Sequence, residues 1–155
     1  MPGYQPVVGM GDAVQTALPN LVRRPCTHLF PGESLLAAVE KYPGRQRIVL
    51  GEGTYILIRN FEMDLANVEL IGQGRDQTII RMENESRFIW SGANGAMRDI
   101  QFDGIVTAAP RAAGYLIQLT GEGFDGERIK TVNGFSVIQA TAAEQRLSDI
   151  RIEGQ

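Results

Sequence analysis

From residue 48 onward the apolar positions fall in short runs, and Gly, Asn or Asp separates nearly all of them. The runs are IVL at 48–50, YILI at 55–58, VELI at 68–71, TIIRM at 78–82, RFIW at 87–90, RDIQF at 98–102, YLIQL at 115–119, ERIKTV at 127–132, FSVIQ at 135–139 and SDIRI at 148–152. Runs this short, bounded by turn residues and rich in β-branched and aromatic side chains, predict strands. Ahead of them, ESLLAAVEKYPG at 33–44 has helical spacing. Leu35, Leu36, Val39 and Tyr42, with Ala38, share one face, Ser34 is the N-cap candidate and Pro43-Gly44 stops the helix. This predicts a helix over 33–42 that packs Leu35 and Val39 against something apolar. Residues 1–32 follow neither period and hold five of the seven prolines, so they read as an extended arm ahead of a single domain over 33–155.

The strands repeat. RDIQFDG at 98–104 and SDIRIEG at 148–154 share the order polar, Asp, Ile, polar, apolar, acid, Gly, with NVELIG at 67–72 and ERIKTVNG at 127–134 as looser copies. A second register comprises RFIWSG at 87–92, YLIQLTG at 115–121 and FSVIQAT at 135–141. Ile89 to Ile117 to Val137 gives steps of 28 and 20, and Ile100 to Ile129 to Ile150 gives steps of 29 and 21. Both registers lengthen and shorten together, as expected if each step is one turn of a coil with a variable loop. A unit of twenty-odd residues whose strands cannot bury a face alone is the material of a β-solenoid. The inward ladders expected from it are Ile56, Ile58, Val68, Leu70, Ile79, Ile89, Ile100, Phe102, Ile117, Leu119, Ile129, Val137, Ile150 and Ile152.

SLLAAVEKYPGRQRIVLGEGTYIL, followed by NVELIGQG and TII, resembles the opening of right-handed parallel β-helix proteins of the pectate-lyase-like superfamily, which includes bacteriophage tailspikes and other virion surface proteins. The likeness runs over roughly residues 33 to 155. It implies an all-β fold, a short right-handed parallel β-helix of about four or five coils from residue 48. A capping helix would cover the first coil.

Chemistry is hard to find along this chain. Polygalacturonase-like members of the superfamily carry paired aspartates, Gly-His-Gly and Arg-Ile-Lys, of which only Arg128-Ile129-Lys130 is present. The single histidine, His28, falls in the arm. Asp99, Asp103, Asp125, Glu127, Asp149 and Glu153 are the acids to weigh for hydrolysis. Asp99 and Asp149 sit at equivalent repeat positions, where stacked acids on neighbouring coils would approach each other. The bland reading makes each a turn-forming residue at a strand edge. GQGRDQ at 72–77 and GEGFDG at 121–126 lead into strands and not into helix N-termini, so they read as solenoid corners and not as phosphate cradles. Trp90 is a sugar-stacking candidate whose neighbours Phe88 and Ile89 favour packing. One Cys and one His cannot make a zinc site, calcium would want several convergent oxygens, and no cofactor is expected. Cys26 cannot pair within the chain and reads as a small hydrophobe.

Net charge is −3 with acids and bases interspersed, which gives no phosphate-tracking stripe, and no apolar stretch is long enough to span a bilayer. Nucleic acid and membrane are therefore not expected partners, and a glycan ligand has no support. Small size, resemblance and lack of a site lead to one expectation. This is a non-enzymatic bacteriophage virion structural protein, most simply a trimeric capsid decoration or cement protein on the particle surface, made in the host cytoplasm. It would bind the major capsid protein or another virion protein through Tyr4, Val7, Val8, Leu18, Leu21 and Val22 of the arm. The alternatives are the particle-proximal part of a tailspike or tail fibre, and a fragment of a polysaccharide-degrading β-helix enzyme.

Overall fold

A computed structural model describes residues 24–105, 115–133 and 136–153. In chain order the elements are β1 (Cys26–Leu29), α1 (Leu35–Glu40), β2 (Arg47–Leu50), β3 (Gly53–Leu57), β4 (Phe61–Met63), β5 (Glu69–Ile71), β6 (Thr78–Met82), β7 (Phe88–Trp90), β8 (Ala96–Asp103), β9 (Tyr115–Leu119), β10 (Asp125–Val132), β11 (Ser136–Ala140) and β12 (Arg146–Glu153). The strand pairings recorded for them are all parallel. One sheet runs β1-β2-β5-β8-β10-β12, and a second runs β11-β9-β7-β4. The long strand β8 pairs β5 with its first half and β6 with its second, so each turn presents three faces. The result is a parallel β-helix of about five turns.

The repeat reading holds at the ladder level. Ile100, Ile129 and Ile150 are in register across β8, β10 and β12, whereas in the second register Ile117 pairs Phe88 and Ile138, each one residue from the expected Ile89 and Val137. Val68, Leu70, Ile100, Phe102, Ile117, Leu119 and Ile129 are buried as expected. The phase is wrong by one residue in β11, where Ile138 takes the place of Val137, and in three further strands. Tyr55 is inward and Ile56 is 55 % exposed, with Ile58 also outside; Ile80 is inward in place of Ile79; Phe88 and Trp90 are inward in place of Ile89. In each of these strands apolar residues occupy both phases, and the larger ring or a polar anchor decides. The Tyr55 hydroxyl, for example, lies 3.0 Å from the carbonyl oxygens of both Leu29 and Gly51. Ile152 ends its ladder half-exposed, and the side chain of Val137 lies outside the described residues.

The coil begins earlier than residue 48. Cys26–Leu29, read from the sequence as arm, pairs with Arg47–Leu50, and Leu29 is buried. His28 therefore sits on a strand, and Cys26 is exposed where a buried hydrophobe was expected. The six apolar arm residues from Tyr4 to Val22 lie outside the described residues. α1 forms as the spacing predicts. The Ser34 hydroxyl accepts from the Ala37 N–H at 3.0 Å, and Leu35, Ala38 and Val39 are buried over the first coil while Leu36 faces out.

Two columns of turns hold the coils in register. Arg45, Asn67, Asn94, Gly123 and Glu144 each stand two residues before a strand of the first face and all have left-handed backbone, φ 44° to 71°. Their N–H groups donate to the next turn in series: Arg45 to Ala66 O, Asn67 to Ala93 O, Asn94 to Glu122 O and Gly123 to Ala143 O, at 2.7–3.0 Å. In the other column the chain packs backbone on backbone, and a Cβ on Gly92 would lie 2.0 Å from the Leu65 carbonyl oxygen. Gly92→Ala is expected to cost about 1–3 kcal/mol through this overpacking. A urea titration giving the wild-type midpoint would show that the column yields.

Candidate functional site

The charged residues that sequence inspection singles out gather at the bend between the first and second faces. Asp99, Arg128 and Asp149 are skipped by the pairing registers on either side of them and have φ of 60°, 53° and 53°. The same position is left out on every strand, so no strand carries an extra residue: each of the three is a left-handed corner that turns its strand from the first face onto the second. Asp99 and Asp149 are therefore turn-forming residues, as the bland reading had them, but inside a continuous strand and not at its edge. They are also not on neighbouring coils: Arg128 stands between them, which separates the two acids by two strand spacings, roughly 10 Å.

The column alternates in sign. The Arg128 guanidinium donates to Asp99 in a fork, Nε to Oδ1 at 2.6 Å and Nη2 to Oδ2 at 3.2 Å, while Nη1 reaches Glu127 Oε2 at 2.8 Å. The hydrogen bond to Asp99 raises the pKa of Arg128 above its usual value. Arg75, from the loop between β5 and β6, closes the column by donating to both the carbonyl oxygen and Oδ1 of Asp149, at 2.8 and 2.9 Å. That bond, helped by Arg151 and Arg128, holds the Asp149 carboxyl below its ordinary pKa. A depressed carboxylate contributes stability above its unfolded pKa, about 3.9, and loses it as pH falls through the lower folded value. The melting-temperature difference between wild type and Asp149→Asn is thus expected to be present at neutral pH and to close toward pH 2. A difference that grows in acid would contradict the pairing.

Asp103 and Glu153 are also engaged, while Asp125 lines a surface cavity with Glu144. Asp103 meets Arg81 at 3.4 Å and accepts from Asn133 at 2.8 Å, and Lys130 reaches Asp76 at 3.2 Å and Glu153 at 3.8 Å. Of Arg128-Ile129-Lys130, the central Ile faces the core and its flanking cations serve these pairs. His28 has Cys26 as its neighbour, Sγ to Nε2 at 3.7 Å, both at the surface of β1. Trp90 is fully buried against Phe88 and Phe124, which removes it as a stacking platform. Among the described residues no group of three or more His, Cys, Asp or Glu is placed to hold a metal ion.

Sequence inspection missed two features. Glu69 gathers Arg24 at 2.8 Å, Arg47 at 3.0 Å and Arg98 at 3.5 Å, which ties the chain two residues before β1 to the coils beneath. Arg47 and Glu69 are register partners, so that pair was open to discovery once the strands were stacked. Arg75 and Asp149 are 74 residues apart, with no local signal.

No family model matches this chain, and no curated protein matches it. Among solved structures it is similar to a pectin methylesterase mutant in complex with a hexasaccharide, with a TM-score of 0.65 at 13% identity. The match covers 79% of this chain and 45% of that one, so the chain spans less than half that protein's length. The likeness is one of fold: a right-handed parallel β-helix.

Proposed function

We propose that this chain is a non-enzymatic structural protein of a bacteriophage particle, a β-helix that decorates and stiffens the capsid as a homotrimer. The observation that carries the non-enzymatic part is what happens to the acids at the stacked repeat positions. Asp99 and Asp149 are each held by an arginine and separated by a third charged residue, an arrangement that fixes the coil and engages both carboxylates. An inverting hydrolase needs two carboxyls facing a bond and a water between them. The virion assignment rests on the resemblance of the capping helix and first coils to tailspike-type β-helices, and on the apolar content of the first thirty residues. A protein that binds only the assembled shell stabilises that shell by mass action.

The test uses purified particles that lack the protein, mixed with the full chain or with a form lacking residues 1–23. That cut spares Arg24 and β1, which belong to the coil. The full chain is expected to sediment with particles and the truncated form to stay in solution, folded. Failure of the full chain to sediment would end the decoration reading, and equal sedimentation of both forms would move the attachment site onto the coil. Sedimentation with isolated tails instead would favour the tailspike alternative.

The hexasaccharide-bound neighbour favours one second reading, a module of a larger carbohydrate-active protein. Incubation with pectin and with host polysaccharide is expected to release nothing. Reproducible product that disappears in Asp99→Ala would reverse the ranking.

A further inference from the structure

We propose that the loop over residues 72–77 is a clasp that fastens the last coil to the stack. β12 lies at the edge of its sheet: β10 is its one strand neighbour among the described residues, and its inward Leu147 and Ile152 remain 40% and 49% exposed. The clasp starts three strands away. Gly72 stacks over Asp99, its N–H donating to the Arg98 carbonyl at 2.9 Å, and from β5 to β12 the distance is roughly 14 Å at the usual strand spacing.

The loop is braced before it reaches out. The Gln73 N–H donates to Thr78 Oγ1 at 2.9 Å and its Nε2 to the Leu50 carbonyl at 3.0 Å. The Gly74 N–H donates to the Asp99 carbonyl at 3.1 Å. Gly74 has φ 148°, and the Gln77 and Thr78 N–H groups fold back onto its carbonyl at 3.1 and 3.0 Å. From this platform Arg75 lies along the coil with its side chain only 14% exposed, and one Nη1 engages both the carbonyl and the carboxylate of Asp149. Asp76 beside it accepts from Lys130, whose ammonium also faces Glu153 of β12. An exposed ion pair on a mobile side chain contributes little. Asp149 is itself 54% exposed, but the Arg75 side chain is mostly covered, has two acceptors and rises from a loop braced by five hydrogen bonds, so it loses little entropy in holding its target.

The readout is local, because strands at the end of a stack open by themselves before the whole coil does. In hydrogen–deuterium exchange on the full chain, Arg75→Ala is expected to speed exchange of residues 146–153 about tenfold and to leave 96–103 unchanged. Asp76→Asn is expected to act on the same segment by about twofold. Unchanged exchange of β12 in Arg75→Ala would overturn the proposal, as would equal acceleration of β8 and β12, which would make Arg75 a support of the fold as a whole. The measurement needs no particle, so its outcome is independent of the proposed function.

Discussion

Ile129→Asp is expected to leave the protein without a cooperative thermal transition. Ile129 is 2% exposed and sits in the middle of a ladder, with Ile100 on one side and Ile150 on the other. A carboxylate there has apolar neighbours above and below. The cost combines the lost burial of a branched side chain with the desolvation of an unpaired charge, together about 5 kcal/mol or more even if the group takes up a proton. A domain of this size has about 5–15 kcal/mol in total. The paired control is Ile152→Asp, on the same sheet but half-exposed at the end of the coil, where the cost is expected to stay within about 1 kcal/mol. Circular dichroism melts distinguish them. Wild-type melting of Ile129→Asp would mean that the ladder is misregistered, and collapse of both variants would mean that β12 is more enclosed than the structure shows.

Trp90→Ala is the second large effect. The indole is fully buried, its ring centroid 5.2 Å from Phe124 in an edge-on contact and 6.3 Å from Phe88, which in turn stacks on Phe61 and meets Phe102 edge-on. Removing it opens a cavity where the third face meets the interior, and about 3–5 kcal/mol of stability goes with it. Trp90→Phe is expected to cost clearly less. It keeps the ring contact, and it removes an indole N–H that is buried with no hydrogen-bond partner. Denaturant titrations in which the two variants are equally destabilised would mean that the ring contact kept by Phe contributes little.

These two sites also mark what could be read from the chain. The Ile100, Ile129 and Ile150 ladder was legible because its repeats alternate polar and apolar residues, so only one phase suits a core. YILI, TII and FIW offer apolar residues in both phases, and there periodicity cannot choose. Tyr55 won over Ile56 through the two carbonyls its hydroxyl meets, and Phe88 and Trp90 won over Ile89 through ring volume. β1 was missed because Pro25 and Pro31 bracket Cys26–Leu29 and gave it the composition of the arm. The charge column was half visible. Equivalence of Asp99 and Asp149 followed from the repeat, but the basic residue between them came from the looser copy ERIKTVNG, whose Arg occupies the place of the Asp. Arg75 lay beyond reach because nothing local relates it to Asp149.

In the corner column running from Arg45 to Glu144, each turn passes its hydrogen bond to the next through backbone atoms alone, so at this corner the link between coils does not depend on side-chain identity. Between β8 and β9 the chain takes eleven residues, 104–114, and between β10 and β11 only three, 133–135, yet β9 and β11 stay in register. Connection length thus differs from turn to turn at that edge while the stack keeps its register, so residues added or removed there are expected to leave the ladders in place.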